Sequence, residues 1–291
     1  MPINATSFRK TLTYAATEAV AQIFQDLDEI AEIRKQIDER IKKQQSLALT
    51  VVGIGGIALA TSFLLINIIP ALVASLGAGS TVAIIVGLIL LISYSRLDIP
   101  SYRYELIKPL LSLVSRDSKE DAKFEIHLVF SSPTSKNKQV SSGNHPYRSG
   151  WKVQFFQDRW CNLEGELLDG NRFQLTLSEL NRIASGRNPR GKYKSKTKFK
   201  GSEIILKVNC SPRQYGAIKV LREEAREAIQ LPPGVEVKGL KMTDKAILLN
   251  VKVPPDSGAK SQEALYKIIT MMFLSLYQIL NLAKMLTKKN A

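Results

Sequence analysis

The sequence predicts a membrane-anchored α+β protein: an N-terminal amphipathic helix, a two-helix transmembrane hairpin, and a C-terminal mixed β-sheet domain with helices. Three observations predict it. Residues 47–93 contain no Asp, Glu, Lys, Arg or His, and one bilayer crossing takes about 20 apolar residues, so the run has length for two. Ahead of it, Ala16, Val20, Ile23, Leu27, Ile30, Ile33, Ile37 and Ile41 recur every three or four residues, which places them on one helical face. Beyond it, apolar residues alternate with polar ones over several short stretches, the period of strands.

The amphipathic helix is assigned to residues 1–46, with mixed charge opposite its apolar stripe. The spans are expected at 47–66 and 71–93, separated by Asn67 and Pro70, because proline lacks the amide hydrogen that continues a helix. Gly56 and Ala60 on the first span, and Gly79, Ala83 and Gly87 on the second, recur every four residues and would let helix backbones approach closely. Packing of the spans on each other is the simpler use of these stripes, and pairing between copies into a homo-oligomer the sharper one. Lys and Arg are retained on the cytoplasmic side. Arg34, Lys35, Arg40, Lys42 and Lys43 precede the run and Arg96, Arg103 and Lys108 follow it, so a two-pass integral membrane protein with both termini cytoplasmic is expected. Tyr94, Tyr102 and Tyr104 are expected near the headgroups.

Residues 94–121 read as a juxtamembrane connector, partly helical and interrupted by Pro100 and Pro109. The basic α+β cytoplasmic domain is assigned to 122–291. It opens with a strand, KFEIHLVF at 123–130, and an exposed or flexible loop at 131–150 rich in Ser, Gly, Pro and Asn. Strands follow around Trp151, Val153 and Phe155, and on both sides of Asp169-Gly170, a hairpin signal because glycine accepts the positive φ of a tight turn. A strand at 204–208 precedes a helix capped by Ser211 and Pro212. Two more strands at 235–240 and 246–253 lead to a final helix at 260–290. This β-α-β-β order resembles half of a ferredoxin-like split unit in element order alone. The uncharged stretch 268–283 of the last helix is short for a crossing, and Lys284, Lys288 and Lys289 would be carried to the wrong side; a core or membrane-surface helix is expected.

Charge is concentrated. Residues 1–46 hold seven basic and seven acidic groups, whereas residues 94–291 hold 34 Lys/Arg against 19 Asp/Glu, which accounts for the whole net charge of +15. Such an excess suits an acidic partner. Its densest point is KYKSKTKFK at 192–200: on a strand, Lys192, Lys194, Lys196, Lys198 and Lys200 project to one face, with Tyr193 and Phe199 on the other. Arg182, Arg187 and Arg190 extend the patch. Lysines on an edge strand also block edge-to-edge aggregation, and the two uses compete for the same residues.

No catalytic constellation is found. His127 and His145 have no metal-ligand neighbour at a useful spacing; Cys161 and Cys210 are too few and too far apart for a disulfide framework; GAGST at 77–81 lacks the lysine of a phosphate-binding loop. No metal, no cofactor and no cleaved targeting segment are expected. The function expected is a non-enzymatic membrane scaffold or interaction module whose basic domain contacts anionic lipid or an acidic protein partner. The alternatives are a membrane-tethered nucleic-acid-binding protein and a small channel or membrane-active effector.

Overall fold

The computed structural model describes Phe8, residues 11–65, 79–82, 84–87, 89, 101–216 and 218–289. The elements run β1 (Thr13–Ala19), α1 (Val20–Leu65), α2 (Ser101–Arg116), β2 (Lys123–Val129), β3 (Gln139–Asn144), β4 (Trp151–Glu166), β5 (Arg172–Arg187), β6 (Tyr193–Asn209), α3 (Pro212–Tyr215), α4 (Arg222–Ala228), β7 (Glu236–Thr243), β8 (Ala246–Val253) and α5 (Gln262–Lys289). The strands form one eight-stranded antiparallel sheet in the order β1-β2-β4-β5-β6-β8-β7, with β3 added to β4. The chain divides into two units, residues 1–27 with 100–291, and residues 28–99.

In the first unit, alternation puts Phe173, Leu175 and Leu177 of β5, Ile204, Leu206 and Val208 of β6, and Ile247, Leu249 and Val251 of β8 on one buried face. Leu106, Ile107, Leu110 and Leu111 of α2 and Ile269, Met272, Phe273 and Leu276 of α5 are buried as well. The Phe173 and Phe273 rings meet at 5.5 Å, edge to face, so α5 lies against this inner face. The outer face carries polar pairs such as Thr176 Oγ1 to Asn162 Oδ1 at 3.0 Å. The Asp169-Gly170 turn closes the β4–β5 hairpin as expected, Gly170 at φ +80° and its N–H on Leu167 O at 2.9 Å.

Several expectations are corrected. The apolar stripe at Ala16 does not begin a helix: residues 13–19 pair with β2, and α1 starts at Val20, because β-formers such as Thr13 and Tyr14 gain a sheet partner that local periodicity cannot foresee. Pro109 does not interrupt the connector. It sits inside α2, where the bond it cannot give to Glu105 O is replaced by Gln262 Nε2 at 3.1 Å. The segment 131–150 is no plain loop: it contains a 3-10 turn at Lys136–Lys138 and the strand β3. Ser211 is extended but makes no side-chain cap, and the single helix expected after it is broken at Gly216, φ +64°. The ferredoxin-like echo holds in element order: β8 lies between β6 and β7 and is antiparallel to both, with the helices between β6 and β7, the arrangement of a split β-α-β unit.

The fold class and the location are corrected as well. The protein is a mixed α+β chain built on an eight-stranded antiparallel sheet, and the two-pass hairpin with both termini cytoplasmic is not supported. Among the described residues a single stretch, Gln262–Thr287, is long and apolar enough to cross a membrane, and half of it is buried inside the protein, as a core helix would be. The expected turn at 66–70 and most of the second span lie outside the described residues, and α1 runs through the boundary expected at 46/47. A charge-free run certifies only that water is avoided; what replaces the water is a tertiary matter.

Within the second unit, residues 79–82, 84–87 and 89 are helical and meet α1 through small residues. A methyl on Gly87 would lie 2.6 Å from Val52 Cγ2 and 3.3 Å from Ala48 O, and one on Gly55 3.0 Å from Ile84 Cγ1. Gly56 and Gly79 have open space around them, and Ala60 is exposed; Ala83 lies outside the described residues. Leu47, Leu49, Ile54, Ile57, Val82, Ile85 and Ile89 are each more than half exposed.

Candidate polyanion-binding face

The residues from the lysine stretch occupy the far end of three long strands. Asn188 and Lys192 close the β5–β6 turn, Asn188 N–H to Lys192 O at 2.9 Å and Lys192 N–H to Asn188 Oδ1 at 2.9 Å, with Gly191 at φ +77°. Lys192 and Arg190 therefore belong to the turn. From there Lys194, Lys196 and Lys198 stand opposite Gly186, Ala184 and Arg182, on the sheet's outer face. All three lysines are exposed and successive ones are about 6.6–6.8 Å apart along the strand. Arg187 pairs with Tyr193 and so falls on the opposite face.

Lys200 leaves the row. Asn181 pairs with Phe199 and Leu180 with Gly201, so Lys200 is the extra residue of a bulge, a device that re-aims side chains beside a site. Gly201 makes the bulge feasible: its φ is +111°, and a Cβ there would sit 2.3 Å from Val253 O. β8 pairs with β6 only from Ser202 onward, which leaves 193–200 on an edge.

Register brings aromatic groups to the same face, and the lysine strand by itself gave no sign of them. Trp151, Val153 and Phe155 of β4 pair with Gly186, Ala184 and Arg182. Trp151 lies over Gly186, where an added Cβ would be 2.6 Å from its ring, and its Nε1–H donates to Arg187 O at 3.0 Å. The Arg148 guanidinium stacks 4.8 Å above the Trp151 ring. Phe155 is 45% exposed and Tyr147 91%. Arg182 Nη2 stands 3.2 Å from His145 Nε2, and the Tyr147 N–H 3.2 Å from His145 Nδ1; a neutral ring accepts at one nitrogen only, so the two contacts alternate. Local desolvation, then Arg182 and Arg148, hold the His145 pKa below its ordinary value.

The inner side of the same strands is locked by charge. Asp158 and Glu179 are directly opposed across β4 and β5 and essentially inaccessible, an arrangement that repels unless a cation intervenes. Arg103 of α2, equally buried, supplies it: Nη2 lies 2.7 Å from Asp158 Oδ2 and 2.5 Å from Glu179 Oε1, and Nη1 donates to Val129 O at 2.8 Å. Lys138 Nζ reaches Asp158 Oδ1 at 2.8 Å, Lys260 Nζ approaches Glu179 Oε2 at 3.6 Å, and the Tyr102 hydroxyl donates to Glu179. Burial alone would lower the Arg103 pKa, but the two carboxylates outweigh it and raise it. Burial would raise that of Glu179, and Arg103, Tyr102 and Lys260 bring it down instead. Arg103, expected as a charge on the cytoplasmic flank of the second span, is thus an interior group, and Tyr102, expected near the headgroups, is half-buried against Glu179. The readable signal was an acid at an inward position of each of two strands: Asp158 between Phe156 and Trp160, Glu179 after Leu175 and Leu177.

The outer face merges at its lower end with a cleft of about 730 Å3, lined among others by Phe155, Gln157, Asn181, Lys198, Phe199, Lys200 and Lys252. Among the described residues, no group of three or more His, Cys, Asp or Glu is placed to hold a metal ion. Cys161 and Cys210 are buried free thiols. No family model, curated protein or solved structure matches this chain.

Proposed function

We propose that the protein is a non-enzymatic docking module whose basic, aromatic-studded sheet face engages an anionic lipid surface. The observation that carries this reading is the coincidence on one face of Lys194, Lys196, Lys198 and Arg182 with Phe155. Cations beside an exposed apolar ring suit the headgroup region. The exposed Leu47, Leu49, Ile54, Ile57, Val82, Ile85 and Ile89 favour a lipid surface over a soluble acidic protein. Near an anionic leaflet each basic residue contributes about 1 kcal/mol, so the three lysines together change partitioning by on the order of 100-fold.

Partitioning of the full chain onto vesicles with and without anionic lipid tests the reading. The variant with Lys194, Lys196 and Lys198 all changed to Gln is expected to lose about 100-fold on anionic vesicles and nothing on neutral ones. Equal partitioning of variant and wild type removes the face from the function. A nucleic-acid docking reading rests on the same face, because the half-exposed Phe155 supplies a ring partner for a base where Tyr193 and Phe199 point away; displacement of the chain from anionic vesicles by a single-stranded oligonucleotide at low salt is the outcome that would favour it.

A further inference from the structure

We propose that the cleft where β8 ends is a binding site for a small phosphate ester carrying a flat ring, of the class of a nucleoside diphosphate. The docking face is extended, and this site is a half-open cleft at its edge: its volume of about 730 Å3 lies within the 300–1,000 Å3 range of small-molecule sites. Its wall carries three ammonium groups, Lys198, Lys200 and Lys252, against one carboxylate, Asp256. Lys252 is held only loosely, 3.9 Å from Glu236 Oε2, and the bulge at Lys200–Gly201 turns Lys200 out of the strand's alternation. Clustered lysines act as point charges for phosphate oxygens.

The rest of the wall suits a ring. Phe155 is half exposed and stands on the same face as Lys198. Aromatic faces beside cations stack flat heterocycles irrespective of their substituents.

Titration of the purified full chain with a fluorescent N-methylanthraniloyl-ADP, followed by competition with ADP, AMP, adenosine and inorganic phosphate, tests the site. Saturable binding is expected, with ADP displacing better than AMP, and with adenosine and phosphate each far weaker. Lys200→Gln and Lys252→Gln should each weaken ADP about tenfold or more, the loss of a charged hydrogen-bond donor. The Lys194→Gln/Lys196→Gln double variant, outside the cleft, should bind ADP within about twofold of wild type, the scale of a lost exposed charge, while losing affinity for anionic vesicles; the docking reading and this one therefore fail separately. Absence of saturable binding by chain that melts like wild type, displacement by phosphate as effective as by ADP, or equal loss in the cleft and the control variants would each overturn the proposal.

Discussion

Glu179→Gln tests how the two faces of the sheet are held in place. Asp158 and Glu179 oppose each other across β4 and β5, and two like charges about 4 Å apart repel by about 4 kcal/mol at an effective dielectric of 20. Arg103 cancels that repulsion through contacts of 2.7 and 2.5 Å. Gln keeps the shape of Glu179 but leaves Arg103 with one carboxylate, which Lys138 also holds at 2.8 Å. Removing one member of a buried ion cluster costs about 3–5 kcal/mol, equivalent to a fall in Tm of about 6–20 °C for a unit of 150–250 residues. The sign with pH follows from the lowered pKa of Glu179. In the acid range the unfolded chain binds the proton first, so the group's contribution is complete above the ordinary carboxylate value of about 4.5 and is lost as pH falls through the lower folded value. Thermal and urea melts of wild type and Glu179→Gln, taken from pH 7 down to pH 3, measure both effects. The variant should be less stable at pH 7 and show a shallower acid slope. A variant within about 1 kcal/mol of wild type, with an unchanged acid slope, would refute the coupling, since that is the scale of an exposed pair.

Two further outcomes are expected. Gly201→Ala should destabilise by at least about 1–3 kcal/mol from its positive φ alone, with more from the contact of its Cβ with Val253 O; hydrogen exchange should speed up first at Ser202 and Val253, and native-like exchange there would remove the bulge from its assigned role. The thiols should be silent in the folded chain at pH 8: burial pushes Cys161 far above the ordinary thiol range, and burial with Asp169 nearby pushes Cys210 up to about 11. A disulfide reagent should titrate both only in denaturant, and rapid native labelling of either would contradict its burial.

Local signals were legible where the physics is local. Asp169-Gly170 specified its hairpin because the positive φ is needed at that residue whatever surrounds it, and the alternation of Phe124, Ile126 and Leu128 specified a strand with a buried face. The lysine row was legible only in part: alternation placed Lys194, Lys196 and Lys198 together, but Lys192 was taken by a turn and Lys200 by a bulge, and neither follows from a spacing of two. Ala16 shows the opposite failure, a helical stripe overruled by pairing with β2. Pro109 marked a break that never occurred, because Gln262, more than 150 residues away, took over the carbonyl that proline left free.

What the sequence determined by itself was the inventory: a charge-free run, strands with one apolar face, and a concentration of lysine near residue 200. The tertiary structure decided which of these meet. Pairing of β4 with β5 set Phe155 and Trp151 beside the lysines and drove Asp158 against Glu179, and the docking of α2 brought Arg103 between them. Those juxtapositions depend on register and packing between segments distant in the chain, and a one-residue change of register would have sent every one of these side chains to the other face.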